Sequence, residues 1–164
     1  MKLTFEVVWR TASEELRDAA AQFWNVEGAV RDPAQARLRA EHLLVVVKDE
    51  ANAIVAVSTA FRDVLHHFGF SMFSMQMFIA KKWRRFGVAQ RILVCAWEGL
   101  NARFEAGEFP DTLGILLEVA NEKAMRICNR AVWRSYGMEF VYAGKSPRGN
   151  HLRVWYFKGA RIPI

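Results

Sequence analysis

Cysteine is scarce in this chain, two residues in 164, and that excludes a disulfide-stapled scaffold. Cys95 and Cys128 both fall in expected helices and read as thiols of a reducing compartment. No Cys/His cluster has the spacing of a zinc site, so no metal is expected. No uncharged apolar run reaches the roughly 18 residues that would suggest a membrane-spanning helix. The first residues lack the apolar segment of a secretion signal and carry Glu6 early, so a cytoplasmic location is expected. Internal repeats, low-complexity tracts and linker-like stretches are missing too.

What is present reads as a globular chain. A length of 164 residues predicts one domain, spanning 1–164, with a substantial core. The 52% hydrophobic and 24% charged composition sets it apart from disordered sequences. The net charge is +6 and the pI about 9.7, which suits an anionic partner, nucleic acid and acidic protein surfaces among them. The densest basic group is Lys81, Lys82, Arg84 and Arg85.

Periodicity and caps predict the elements. Residues 3–9 alternate and are rich in β-formers, which predicts a first strand. Thr11-Ala12-Ser13-Glu14-Glu15 offers a cap and early acids for a helix to about Trp24, with Leu16, Ala19, Ala20 and Phe23 on one face. Asp32-Pro33 starts a second helix ending near His42. Residues 43–48 and 53–61 read as a hairpin around the polar turn 49–52. A long apolar strand over 68–80 and a helix from Gly87 follow, the helix burying Val88, Ile92, Leu93, Ala96, Leu100 and Phe104. Residues 113–119 are a buried strand. Residues 121–136 read as a helix capped by Asn121 and stopped by Gly137, with Ala124, Ile127, Cys128, Ala131, Val132 and Ser135 on one face. Strands over 138–142 and 152–158 close the chain. The order β α α β β β α β α β β predicts an α/β (α+β) fold, a mixed sheet of about seven strands flanked by about four helices.

The strand, basic turn and helix over 68–100 form one chemical unit. A helix N-terminus offers N–H groups with no intrahelical acceptor, and its dipole favours an anion such as a pyrophosphate. Gly87 permits close backbone approach at the turn. The sequence Arg84-Arg85-Phe86-Gly87-Val88-Ala89 fits (Gln/Arg)-x-x-Gly-x-(Gly/Ala). It resembles the acyl-CoA pyrophosphate loop of the GNAT (GCN5-related N-acetyltransferase) superfamily, and the whole element order is similar to the GNAT fold over nearly the full chain. Leu117-Glu118-Val119-Ala120-Asn121-Glu122-Lys123-Ala124 resembles that family's fifth strand and following helix, where Asn-x-x-Ala is common.

The resemblance implies acetyl-CoA as co-substrate. Phe78, Ile79 and Ala80 would meet the pantetheine arm through backbone atoms, as an extended segment adds to a sheet edge. Phe86, Gly87, Val88, Ala89 and Gln90 would offer N–H groups to the pyrophosphate. Arg84 and Arg85 would add charge beside it, and Asn121 would lie along the arm. The family often continues Asn-x-x-Ala-x-x-x-Tyr; counted from Asn121 the Tyr position is Cys128, while Tyr136 lies eight residues further on. Some members carry a carboxylate base on the fourth strand. Here that position is Phe73, with Ser74 and Gln76 nearby.

Acetyl transfer to an amine needs removal of the amine proton, an N–H donor for the tetrahedral oxyanion and a proton for the leaving thiolate. Glu118 is the best remaining carboxylate, or else a strand-edge Glu facing water. Tyr136 is a candidate acid, or packs under the last strands. Cys128 is a candidate acyl carrier, or a helix-face thiol. His66 and His67, ahead of the fourth strand, are further acid–base candidates, or merely occupy a turn. Trp24, Phe61, Phe68, Phe70 and Phe73 flank the acceptor pocket in the resembled fold, or anchor the core. The expected activity is acetyl-CoA-dependent N-acetyl transfer to a small-molecule, peptide or protein amine by a monomer or homodimer. The alternatives are a catalytically degenerate acyl-CoA-binding module and toxin-like acetylation of charged tRNA. No nucleic-acid-binding motif is visible.

Overall fold

A computed structural model describes residues 2–66, 68–84 and 87–164. The elements are β1 (Thr4–Val7), α1 (Glu14–Val26), α2 (Pro33–Ala40), β2 (Leu43–Lys48), β3 (Ile54–Leu65), β4 (Phe70–Ile79), a 3-10 turn (Lys81–Trp83) and α3 (Val88–Glu105), then β5 (Thr112–Val119), α4 (Glu122–Ile127), β6 (Val132–Ser135), β7 (Met138–Lys145) and β8 (His151–Tyr156). The eight strands make one mixed sheet, ordered β1-β2-β3-β4-β5-β8-β7-β6. Strands β4 and β5 are parallel, while β1–β2, β2–β3, β5–β8, β8–β7 and β7–β6 are antiparallel. The chain divides into two compact units, Met1–Ala60 with Met77–Ala96 and Phe61–Gln76 with Trp97–Ile164.

In the first unit the caps are those the sequence signals. Ser13 Oγ accepts from Leu16 N, and Asp32 Oδ1 from Ala34 N with Pro33 opening α2. Small residues on the two helices, Ala20, Ala21, Ala36 and Ala40, let them pack closely with Trp24, Leu43, Val46 and Val57. The β2–β3 hairpin turns on Asp49, whose Oδ1 accepts from Ala51 N and Ala53 N, both at 3.0 Å. The register of β2 on β3 shifts between Leu43 and Val45, and Ser58 Oγ accepts the Val45 N–H at 3.1 Å.

The second unit is built on β5. Its register with β4 runs from Ser71↔Thr112 to Met75↔Leu117, and with β8 from Gly114↔Tyr156 to Val119↔His151. Gly114 is required by crowding. A Cβ there would lie 2.8 Å from Tyr156 Cα and against the Trp155 carbonyl oxygen. Aromatic rings fill one side of this unit: Trp97 stacks on Trp155 at 4.6 Å, and Phe73 meets Phe109 edge-on at 4.9 Å.

The expected helix over 121–136 is corrected. Only Glu122–Ile127 is helical; Cys128 ends it, and Val132–Ser135 is the strand β6. Ile127 and Val132 are exposed, so the apolar face expected over 124–135 does not exist. Two β-branched and aromatic residues, Val132 and Trp133, pair with Val141 and Phe140 across a two-residue loop, Tyr136-Gly137. Both loop residues have positive φ, 52° and 78°, as a type I′ hairpin turn requires. Gly137 is thus a hairpin glycine and not a helix stop. That strand accounts for the eighth member of the sheet.

Candidate active site

The phosphate-loop candidates lie in the first unit. Strand β4 ends at Ile79, the 3-10 turn carries Lys81 and Lys82 outward, and Trp83 anchors the turn in the core. Arg84 turns back: its Nε donates to the Ile79 carbonyl at 3.0 Å, and its guanidinium carbon stands 5.7 Å from the centre of the Phe78 ring. Arg85 and Phe86 lie outside the described residues. Gly87 has φ +65°, and its carbonyl accepts from Arg91 N at 3.2 Å, the first helical bond of α3. The N–H groups of Val88, Ala89 and Gln90 therefore have no intrahelical acceptor. No acidic residue occupies that first turn. Among the described residues other than its chain neighbours, a Cβ on Gly87 would meet nothing nearer than Gln90 Oε1 at 3.9 Å. Positive dipole end and flanking cations together suit a phosphate or pyrophosphate. Of the residues expected to offer backbone to pantetheine, Ala80 already spends its N–H on the Val55 carbonyl at 2.9 Å.

Glu118, Asn121, Cys128 and Tyr136 lie in the second unit. Beyond Met75↔Leu117 the β4–β5 ladder stops; the next positions, Gln76 and Glu118, are not partners, and Gln76 is exposed. Glu118 Oε1 accepts from Ser146 Oγ at 2.7 Å and from Asn150 Nδ2 at 2.8 Å, and Arg148 Nη2 lies 3.5 Å from Oε2. The Ser146 and Asn150 bonds, with Arg148 adding to them against a small burial cost, hold its carboxyl below the usual Glu range. A carboxylate stabilised in this way is a weaker base than a free one. Asn121 caps α4, its Oδ1 accepting from Lys123 N at 2.9 Å and Ala124 N at 3.3 Å.

Cys128 sits at the C-terminal end of α4, and burial pushes its thiol up, against a lowering by Arg153. It therefore keeps its proton at neutral pH, which disfavours it as a nucleophile. Tyr136 is 73% exposed at the tip of the β6–β7 hairpin. The expectation that it packs under the last strands is corrected by that position. Sequence reasoning missed Arg153. This β8 residue is 2% exposed and donates through Nη1 to the Arg130 carbonyl at 2.7 Å and through Nη2 to that of Cys128. Among the described residues no carboxylate pairs with it. Its signal was a charge in the middle of an apolar strand. Ser146 and Asn150 carried no comparable signal, because the loop geometry that aims them at Glu118 is tertiary.

The remaining candidates separate as core and turn. Trp24, Phe70 and Phe73 are buried, while Phe61 and Phe68 are partly buried. His66 is exposed in the turn after β3, and His67 is outside the described residues. Among the described residues no group of His, Cys, Asp and Glu could hold a metal ion. No helix among them is long and apolar enough to cross a membrane.

This architecture is the fold of the GNAT-family acetyltransferases. A GNAT-family N-acetyltransferase (YhbS) from Escherichia coli, solved in complex with CoA, matches at a TM-score of 0.60 and 13% identity, over 95% of this chain and 82% of that one. A ribosomal-protein-S5-alanine acetyltransferase from Vibrio fischeri matches at 0.61 and 12% identity, over 98% and 96%. A mutant AtaT toxin, bound to the C-terminus of the antitoxin AtaR and acetyl-CoA, matches at 0.57 and 15%, over 95% and 94%. No protein-family model and no curated protein matches the sequence.

Proposed function

We propose that residues 1–164 work as one acetyl-CoA-dependent N-acetyltransferase domain, moving an acetyl group directly to an amine. The observation that carries this reading is the junction of β4 and α3. Gly87 turns the chain with positive φ into first-turn N–H groups that lack intrahelical acceptors, with Lys81, Lys82 and Arg84 close by in sequence and no acid in the turn. The E. coli and AtaT structures, which hold CoA and acetyl-CoA, support the choice of ligand.

In this reading Val88, Ala89 and Gln90 bind the pyrophosphate through backbone N–H groups, and Arg84 and Arg85 supply charge. Phe86 and Gly87 add backbone N–H groups for the same phosphates, while Phe78 and Ile79 offer backbone of β4 to the pantetheine arm. Bound acetyl-CoA supplies a thioester carbonyl. The neutral amine forms the new C–N bond there, the C–S bond breaks, and the amine's proton leaves as the CoA thiol is formed. Backbone N–H donors of β4 stabilise the oxyanion. Glu118 acts as a positioning residue for the loop 146–150, and the amine proton passes to water. Cys128, protonated and counted at the family's Tyr position, is the better proton donor to the leaving thiolate; Tyr136 is the weaker one.

A second reading, an acyl-CoA-binding module without turnover, is favoured by the tied-down carboxylate of Glu118 and the solvent position of Tyr136. Calorimetric titration with acetyl-CoA, CoA and a long-chain acyl-CoA, on the wild type and on Gly87→Glu, tests the shared premise. Binding lost in a folded variant supports the site. No binding to a folded wild type removes both readings. Thiol release with an amine panel then separates them.

A further inference from the structure

The charge of this chain is unevenly placed. Residues 119–164 hold nine Lys and Arg against two Glu, whereas residues 1–118 hold fourteen against fifteen acids. The whole positive excess thus belongs to the last third, and not to the basic turn at 81–85. Six of those nine side chains are exposed: Lys123 and Arg126 on α4, Arg130 in the connection after it, Arg134 and Lys145 on the β6–β7 hairpin and Arg148 in the loop before β8. Arg126 and Arg134 are offset by Glu122 and Glu139, and Arg148 stands 3.5 Å from Glu118. Lys123, Arg130 and Lys145 have no carboxylate partner among the described residues. Two tyrosines stand exposed in the same elements, Tyr136 at 73% and Tyr142 at 39%.

We propose that the exposed surface of α4, the β6–β7 hairpin and the β7–β8 loop binds single-stranded RNA. Phosphates attract clustered cations through counterion release, and Arg, four of the six here, matches phosphate oxygens in bidentate geometry. Exposed tyrosine rings give unstacked bases a platform, which an acidic protein surface does not require. The short α4 is tied down by the buried Arg153, which holds the carbonyls of Cys128 and Arg130, so that Arg130 projects from a fixed backbone. The hairpin is fixed by its four paired positions, Val132↔Val141 to Ser135↔Met138. The surface is therefore preformed, and its ligand pays little ordering cost on the protein side. This inference is independent of the acetyltransferase reading, since the binding needs no acyl-CoA.

Fluorescence anisotropy with a labelled single-stranded RNA, the same sequence as a duplex, and a labelled polyglutamate peptide tests it, without any CoA. The expected result is single-strand binding at about 50 mM salt that weakens steeply as salt rises. The triple variant Lys123→Ala/Arg130→Ala/Lys145→Ala should bind about tenfold or more weakly, with a salt slope lower by about 2. Tyr136→Asn, which keeps the left-handed turn conformation, should weaken the single strand about fivefold or more and the duplex hardly at all. A circular-dichroism melt confirms that each variant is folded. Absence of single-strand binding at low salt overturns the proposal, as does equal or tighter binding of polyglutamate, which would identify an acidic protein partner. Tighter duplex binding with no effect of Tyr136→Asn also overturns it.

Discussion

Glu118 accepts the side-chain N–H of Asn150 at 2.8 Å, tying the end of β5 to the residue that precedes β8. The same oxygen holds Ser146, and the loop is closed further by Ser146 N donating to the Asn150 carbonyl and Gly149 N to the Ser146 carbonyl. These bonds favour the ionised carboxylate, so the folded-state pKa lies below the reference value of 4.5. The unfolded chain binds that proton at higher pH. The stabilisation is therefore complete above the unfolded value and is lost as pH falls through the lower folded value. Glu118→Gln should lower the melting temperature at neutral pH, and the gap to wild type should narrow as pH falls through the depressed folded value. A gap of constant size across that window would mean the carboxylate charge is irrelevant to the clamp.

The fold was legible wherever one local signal decided the state. Ser13, Asp32 and Asn121 cap the helices they precede, because a side-chain oxygen before a helical run has one favourable use. The hairpin over 43–61 and the buried face of α3 followed from alternation and from the 3.6-residue period. The stretch 128–136 defeated periodicity. Ala131, Val132 and Ser135 fit a helical face, and only pairing with β7, a non-local contact, makes Val132–Ser135 a strand. The loop around Gly87 could be read from spacing, since its chemistry is backbone chemistry within a few residues. The surroundings of Glu118 and Cys128 could not, because Asn150 and Arg153 reach them from more than twenty residues away. The basic surface carries no motif, because its cations are spread singly over 123–148 and only their excess over two Glu marks it.

Tyr136 occupies a left-handed backbone position, φ +52°, in a turn whose partner Gly137 also has positive φ. An L-residue with a bulky side chain is strained there by about 1 kcal/mol, and Asn tolerates the same conformation better. Tyr136→Asn should raise stability by about 0.5–1 kcal/mol in denaturant unfolding. Removal of an essential general acid costs about 100-fold or more in rate, so the same variant also tests chemistry. A turnover change of less than about threefold is expected from its solvent position; a hundredfold loss in this stabilised protein would restore Tyr136 as the acid.

Two glycines should respond differently to the same methyl group. At Gly114 the added Cβ would lie 2.8 Å from Tyr156 Cα and 3.0 Å from Met72 Cε, with backbone on one side that cannot swing away. Gly114→Ala should cost about 2–3 kcal/mol, read as a lower denaturant midpoint, through strain between β5 and β8. At Gly87 the nearest described atom outside its chain neighbours is 3.9 Å away, so Gly87→Ala should cost only the strain of its φ, about 1 kcal/mol. Equal losses at both positions would show that crowding is not what fixes Gly114.

Arg84 is held where its charge would be useful before any ligand arrives. Its Nε bond to the Ile79 carbonyl and its stacking over Phe78 fix the guanidinium at the end of β4, three residues before Gly87. The side chain is exposed, so these contacts add little to global stability, and Arg84→Met should shift the melt only slightly. Its effect on an anionic ligand should be larger, about tenfold in acetyl-CoA affinity at low salt, because a charged hydrogen bond is lost near phosphate. Raising the salt should shrink that difference. Arg84→Lys separates the two contributions: it keeps the charge but loses the fork that bonds Ile79. Calorimetry should place the Lys variant between wild type and Met. If Lys matches wild type, charge alone matters at this position. If Met matches wild type, Arg84 has no part in binding and the basic contribution must come from elsewhere in the turn.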